Sequence, residues 1–172
     1  TTLAFRQHLF RYGLGVAEAM DTAQRNMGLD WPATQELITR SSALAQEHGA
    51  RIASGAGTDQ LLAPAGSLQE MTRAYLEQVE FVETAGSQVI MMASRHLAAL
   101  ARSAEDYLQV YSTVLAQASR PVILHWLGEM FDPQLSGYWG SIDIPTATRT
   151  FLDLINEYSA KVDGVKVSLL SA

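Results

Sequence analysis

Short apolar runs recur along the chain at intervals of roughly 30 to 40 residues, which is the length of one strand-helix unit. The runs are centred near Val16, Ala53, Ile90, Ile123 and Val165. The segments between them have apolar residues at three- and four-residue steps, a pattern typical of a helix that packs on a sheet. Parallel strands need such crossovers, so the pattern predicts five parallel strands joined by helices.

Capping signals mark the ends of the predicted helices. The residues expected at their N-termini are Asp30, Ser67, Ser103 and Asp143. The residues expected to end helices are Gly13, Gly49 and Gly86. Tyr107 and Tyr111 fall on the apolar stripe of one helix, so we interpret them as core residues rather than as cofactor contacts.

Two architectures fit the alternation of strands and helices: a doubly wound sheet and a (β/α)8 barrel. The stretch 55–60 lacks the third glycine of a dinucleotide-binding turn and the lysine of a phosphate-binding loop. Polar residues instead follow every predicted strand, and in a barrel the carboxyl ends of all strands form one rim. We therefore predict an α/β fold, a (β/α)8 TIM barrel that is incomplete, in a single domain over residues 1–172.

Composition narrows the partners and the compartment. The net charge is -6 and the arginines are scattered singly, which argues against nucleic acid or an anionic membrane as a partner. The chain has no cysteine and no apolar run long enough to span a bilayer, so we expect a cytoplasmic protein. A barrel takes about 250 residues and an open one leaves strand edges unpaired, so we expect a longer natural protein that forms a homo-oligomer.

One of only two lysines, Lys166, lies in an apolar run that we predict to be a buried strand. Period-two alternation places Gly164, Lys166 and Ser168 on one face, opposite Val165 and Val167. An amine in a desolvated pocket has a lowered pKa and can condense with a carbonyl to form a Schiff base. The alternative is a lysine whose stem lines the sheet while its ammonium reaches water or a carboxylate.

Side chains whose oxygen and nitrogen atoms can bind a metal also follow the predicted strands, which raises the possibility of a metal site. A divalent-metal site, as in metal-dependent sugar isomerases and aldolases, could use Glu18, Asp59, His125 and Glu129. A third possibility is a sugar-binding barrel without chemistry. In that case Trp126, Tyr138 and Trp139 are candidates for stacking on a sugar, or else they pack a long insertion onto the barrel.

Four segments resemble successive strand landmarks of the dihydrodipicolinate synthase and N-acetylneuraminate lyase superfamily. They are Gly-Ala-Gly-Thr at 55–58, Gln-Val-Ile-Met-Met at 88–92, Arg-Pro-Val-Ile-Leu-His at 120–125 and Asp-Gly-Val-Lys-Val at 163–167. Segments 15–24 and 125–133 resemble an uncharacterised dihydrodipicolinate-synthase-like bacterial branch. The resemblance implies a barrel piece covering about strands two to six, and a class I aldolase or lyase that forms its imine on Lys166 without a cofactor.

The sequence departs from the superfamily at two places. The tyrosine that relays protons at the end of strand five is replaced by His125, which can carry a proton or can be a packed histidine satisfied by a backbone carbonyl. The Gly-Thr-Thr-Gly-Glu loop that grips a keto-acid carboxylate becomes residues 21–25, where only Thr22 matches. Asp21 would repel pyruvate, while Arg25 offers a replacement clamp. We therefore expect a small keto-acid or sugar-derived keto compound other than plain pyruvate.

Together these considerations predict a catalytic pair and a set of substrate-binding residues. The catalytic pair is Lys166 and His125. The expected substrate-binding residues are Thr22, Arg25, Thr58, Asp59, Ser94, Glu129 and Ser168.

Overall fold

Five parallel strands form one sheet in sequence order, as the spacing of the apolar runs predicted. The structure, a computed structural model, describes residues 2–21, 24–25, 27–61 and 66–170. Each neighbouring pair of strands is parallel, with the order β1-β2-β3-β4-β5. The strands are β1 (Val16–Glu18), β2 (Ile52–Ala56), β3 (Gln88–Met91), β4 (Val122–Leu127) and β5 (Val162–Ser168).

Helices alternate with the strands, so the α/β prediction is confirmed. They are α1 (Thr2–Arg11), α2 (Trp31–Glu47), α3 (Leu68–Thr84), α4 (Arg95–Leu100), α5 (Ala104–Gln117) and α6 (Ile144–Glu157). Short 3-10 helices occur at Pro133–Leu135, Tyr138–Gly140 and Ser159–Lys161. None of the helices within the described ranges is long and apolar enough to cross a membrane.

The predicted caps account for the ends of most helices. Asp30, Ser67 and Asp143 each accept a hydrogen bond from a backbone N–H in the first turn of α2, α3 and α6. Ser103 precedes α5 without such a bond. The helices α1, α2 and α3 are followed by glycines with positive φ, as predicted: Gly13, Gly49 and Gly86.

The core lies between the sheet and its helices. Val122, Leu124 and Trp126 alternate along β4 and are buried in the same cluster as Tyr107 and Tyr111 of α5. The two tyrosines are therefore core residues, as their helical spacing predicted.

The insertion after β4 contributes aromatic rings to this core. Trp139 is fully buried, with its ring centroid 4.5 Å from that of Tyr111 and 5.0 Å from that of Phe151. Tyr138 and Trp126 are buried as well. These rings pack the insertion onto the helices, so the alternative of a sugar-stacking surface made by these residues is wrong.

The strand that carries Lys166 is not buried in this chain. β5 pairs with β4 alone and forms one edge of the sheet. Val165 and Val167 are 48% and 49% exposed, and Lys166 is exposed too. The prediction of a buried strand is wrong here because an edge strand lacks the second neighbour that would cover it.

Candidate active site

The side chains of Lys166 and His125 meet at the carboxyl-terminal half of two adjacent strands. Lys166 is paired in register with His125 across β4 and β5. The Lys166 Nζ lies 3.2 Å from the His125 Nε2. The same Nζ donates a hydrogen bond of 3.0 Å to the Ser168 Oγ. Two predicted catalytic residues and one predicted substrate-binding residue thus form one contiguous group.

A β-bulge creates this pairing. Val122 is opposite Val162, whereas Ile123 is opposite Gly164, so β5 contains one extra residue at Asp163. Without that residue Val165 would lie beside His125. The bulge brings Gly164, Lys166 and Ser168 onto the same face as the side chain of His125.

His125 is buried, with 3% of its surface exposed. The pKa of His125 is lowered to about 4, first by burial and then by the positive charge of Lys166, while the negative charge of Asp21 acts in the opposite direction. The imidazole is therefore neutral at pH 7, and its Nε2 can accept a hydrogen bond from the Lys166 amine. Its Nδ1 is buried and has no hydrogen-bond partner among the described residues. If His125 were only a packing residue, a backbone carbonyl would be expected to accept a hydrogen bond from Nδ1, and no described carbonyl does so.

Arg25, the expected carboxylate clamp, faces inward and holds the loop after β1 against the end of β2. It is 2% exposed. Its Nε and Nη2 donate to the two carboxylate oxygens of Asp59 at 2.7 and 2.5 Å, and Nη2 also donates to Gln78 Oε1 at 2.7 Å. Its Nη1 donates to the carbonyl oxygens of Ala19 and Gly55. All five N–H donors of the guanidinium are thereby used within the protein.

Asp59 is the anionic partner of this group. Burial alone would raise the pKa of Asp59. The hydrogen bond and charge of Arg25 and the amide of Gln78 outweigh burial and hold this pKa below its ordinary value. Arg25 and Asp59 are thus brought together as an ion pair rather than displayed side by side to a ligand. Sequence reasoning missed Gln78, whose amide also accepts from the Gly57 N–H, because nothing in its helical spacing separates it from a core-facing residue.

A second group of polar side chains lies after β2 and β3. The Thr58 and Ser94 hydroxyls are 2.6 Å apart, and the Thr58 Oγ1 lies 3.2 Å from the His96 Nδ1. Ser94 also caps α4 by accepting from the Leu97 N–H. Burial lowers the pKa of His96, which the charge of Asp59 raises and that of Arg95 lowers. No sequence signal pointed to His96, since its contact with Thr58 depends on the loop after β3.

Glu129 and Glu18 are the remaining predicted residues that the structure describes. Glu129 follows β4 and is exposed. Thr22 lies outside the described residues. Glu18 is buried and accepts from Arg6 and from the Ser41 hydroxyl.

Two of the four residues proposed for a divalent metal are engaged in ion pairs. Glu18 and Asp59 each pair with an arginine, Arg6 and Arg25 respectively. Across the described part of the chain, no group of three or more His, Asp or Glu side chains is close enough to hold a metal ion. The donor set of Glu18, Asp59, His125 and Glu129 therefore gains no support from the geometry.

The whole chain matches one family model. The model covers residues 1–172 and is described as a protein of unknown function, DUF993. The chain belongs to the DUF993 family. No curated protein matches the sequence.

Solved structures place the DUF993 chain within a known fold. A dihydrodipicolinate synthase superposes with a TM-score of 0.64 at 15% identity, over 95% of this chain and 48% of that one. A monomeric dihydrodipicolinate synthase variant gives 0.58 at 18% identity, over 95% and 47%. The dihydrodipicolinate synthase from Oceanobacillus iheyensis gives 0.58 at 14% identity, over 94% and 52%.

These matches confirm the fold that the four strand landmarks predicted. The chain spans about half the length of the solved structures that it resembles. Its five strands and their helices therefore correspond to part of a (β/α)8 barrel, and the resemblance to the dihydrodipicolinate synthase superfamily holds at the level of the fold.

Proposed function

We propose that the DUF993 chain carries the catalytic half of a class I aldolase or lyase that forms a Schiff base between Lys166 and a keto substrate. The observation that carries the proposal is the 3.2 Å contact between Lys166 Nζ and the buried His125 Nε2 at the carboxyl-terminal half of two parallel strands. The dihydrodipicolinate synthase fold supports it, because active sites of such barrels lie at this face. A homo-oligomeric, cytoplasmic enzyme remains the prediction from the sequence.

The reaction starts from the deprotonated amine of Lys166, which can donate a hydrogen bond to the neutral imidazole of His125. Deprotonated Nζ attacks the carbonyl carbon and forms a C–N bond, while the carbonyl oxygen takes up a proton. Loss of water from this carbinolamine then yields the iminium ion. In this proposal His125, whose Nε2 contacts the amine, delivers and removes these protons, and Ser168, which accepts a hydrogen bond from the amine, holds it in position.

The iminium ion makes the next bond cleavage possible. In a retro-aldol reaction the substrate hydroxyl gives its proton to His125, the adjacent carbon-carbon bond breaks, and the electron pair moves into the iminium to form an enamine. An aldehyde leaves. Protonation of the enamine and hydrolysis of the imine release the second product and restore Lys166. In a dehydration the carbon next to the iminium loses a proton to give the enamine, and the enamine then expels the hydroxyl group one carbon further on, which takes up a proton and leaves as water.

Borohydride reduction of the full-length protein with a panel of keto compounds tests the proposal. We expect a stable mass increase on the peptide that contains Lys166. Lys166→Arg keeps the positive charge but cannot form an imine, so it should abolish both trapping and turnover while the fold is retained. Lys161→Arg is the matched control. Lys161 directly precedes β5, and its Nζ donates a hydrogen bond to the Ala118 carbonyl, away from the contact between Lys166 and His125.

His125→Asn separates the proton relay from the nucleophile. We expect turnover to fall by about 10²-fold or more, because a positioned acid-base group contributes 10² to 10⁴. The Lys166 peptide should still be trapped, but more slowly. Activity that survives Lys166→Arg and disappears with a chelator would reject the Schiff-base mechanism.

A further inference from the structure

We propose that the Nε2 of His96 binds a hydroxyl group of the substrate, at the end of the substrate away from Lys166. The ligand is then a keto compound that has a hydroxyl group several carbons from its carbonyl. The inference deepens the proposed function and rests on it, because Lys166 would hold the other end of the same molecule. It follows from the way in which two buried hydroxyl groups orient the imidazole of His96.

The two hydroxyl groups belong to Thr58 and Ser94, which follow β2 and β3. Each residue is 3% exposed, and their Oγ atoms are 2.6 Å apart. The Ser94 Oγ also accepts a hydrogen bond from the Leu97 N–H, and the Ser94 N–H donates to the Tyr138 hydroxyl. The hydroxyl pair is therefore fixed both by the backbone of α4 and by a buried tyrosine of the core.

This pair holds the imidazole of His96 in one orientation. The Thr58 Oγ1 lies 3.2 Å from the His96 Nδ1. A hydroxyl group has one proton, so Thr58 donates to one of its two partners and accepts from the other. In either arrangement Nδ1 is engaged inside the protein, and Nε2 is the nitrogen left for a ligand.

The Nε2 of His96 is accessible. His96 is half-buried, and its Nε2 bonds to no described residue. It is not one of the buried polar atoms that lack a partner, so it lies at the surface of the rim. The position is thus open to a ligand, although the ring itself is held from behind.

The imidazole of His96 is neutral at pH 7. Burial lowers its pKa, and the charge of Asp59 raises that pKa while the charge of Arg95 lowers it. A neutral imidazole offers at Nε2 either an N–H or a lone pair, according to the direction in which Thr58 donates. A hydroxyl group matches both states, because it is at once a donor and an acceptor.

A second contact fixes the loop that carries His96. Arg95 forms an ion pair of 2.5 Å with Asp132, which is 5% exposed and follows β4. The loop after β3 is therefore tied to β2 through Thr58 and to the segment after β4 through Asp132. A hydrogen-bonding group that is held in place before the ligand arrives loses little entropy on binding.

The distance across the sheet sets the length of the ligand. β4 lies between β3 and β5, so two strand spacings, about 10 Å in all, separate the loop after β3 from Lys166. At about 1.5 Å per bond, a three-carbon keto compound on Lys166 ends short of His96, whereas a chain of about six carbons can reach it.

Two pairs of ketones test the inference on the full-length protein. In the long pair, 6-hydroxyhexan-2-one and heptan-2-one differ only in a terminal hydroxyl against a methyl group. Hydroxyacetone and butan-2-one form the short pair and differ in the same way. The measurement is the probe concentration at which borohydride labels half of the Lys166 peptide. For the long pair we expect this concentration to be about five- to tenfold lower for the hydroxylated member.

His96→Asn keeps an amide near the position of Nδ1 and removes Nε2. It should abolish the preference within the long pair and leave the ratio within the short pair unchanged. His96→Gln places an amide near the position of Nε2 and should restore most of the preference. Both members of a pair are measured on the same variant, so any effect on the amine of Lys166 cancels from the ratio.

Thr58 is a positioning residue in this proposal, and two variants test that role. Thr58→Val removes the hydroxyl group that orients His96 with little change in shape, so it should reduce the preference within the long pair. Thr58→Ser keeps the hydroxyl group and should retain the preference. Circular dichroism establishes that the His96 and Thr58 variants are folded.

Four results would overturn the inference. They are the absence of a preference within the long pair in the wild type, a preference that His96→Asn leaves intact, an equal change in both pairs, and labelling by other ketones but by neither member of the long pair. Each of them leaves the proposed function standing, because Lys166 is still labelled. Labelling of Lys166 by no keto compound at all would overturn the proposed function and this inference with it.

Discussion

At the scale of single residues, the rim contains polar side chains with two different tasks. Lys166 contacts both His125 and Ser168 and remains exposed. Arg25 and Asp59 instead satisfy each other inside the protein. Residue type does not distinguish these tasks, because an arginine suits a substrate carboxylate and an internal one equally well.

Arg25→Ala should destabilise the protein by about 3–5 kcal/mol, because it leaves the carboxylate of Asp59 and the amide of Gln78 without their partner. The free energy of unfolding in urea measures this loss. Arg40→Ala is the matched control, since Arg40 pairs with Glu36 on the surface of α2 and should cost less than about 1 kcal/mol.

A double-mutant cycle with Asp59→Ala then isolates the pair. The double variant should lose clearly less stability than the two single losses combined. Additive losses would show that Arg25 acts through its bonds to the Ala19 and Gly55 carbonyls rather than through Asp59.

At the scale of elements, the residues that follow β1 lie close to the backbone of β2. Ala19 has a positive φ of 48° and turns its carbonyl oxygen toward Gly55 and Arg25. A Cβ on Gly55 would lie 2.6 Å from that oxygen and 2.6 Å from the Met92 Sδ. Only glycine allows the two backbone segments to approach this closely.

Gly55→Ala should therefore cost about 1–3 kcal/mol, because the backbone of β1 must move to admit one methyl group. Gly164→Ala is the control in β5, where a Cβ would meet no atom within 4 Å. Both variants are compared by urea unfolding monitored by circular dichroism. Equal stability of the two variants would contradict the close approach of β1 to β2.

At the scale of the whole molecule, the burial of His125 couples the candidate site to the stability of the fold. An imidazole with a pKa of about 4 in the folded protein and about 6.5 when unfolded is protonated first in the unfolded chain. The unfolded state then binds more protons between these values. The contribution of His125 to the free energy of unfolding is therefore fully present above pH 6.5 and is lost as the pH falls toward 4.

The free energy of unfolding should therefore fall by about 1 to 2 kcal/mol from pH 7.5 to pH 5 through His125. His125→Asn should lower the stability at pH 7.5 and remove most of this pH dependence. His8→Asn, at an exposed position on α1, controls for the loss of an imidazole elsewhere. The same slope in the His125 variant and in the wild type would show that His125 is not the buried titrating group.

The alternation of strands and helices, the order of the elements and most of their caps could be predicted from the sequence. Apolar spacing and capping side chains act over a few residues, so they are readable along the chain. The sequence also singled out Lys166 and His125. It could not show that β5 is an edge strand, that a bulge at Asp163 brings these two side chains together, or that Arg25 faces Asp59 and Gln78. Those features depend on distances between residues far apart in the chain, which only the packed sheet determines.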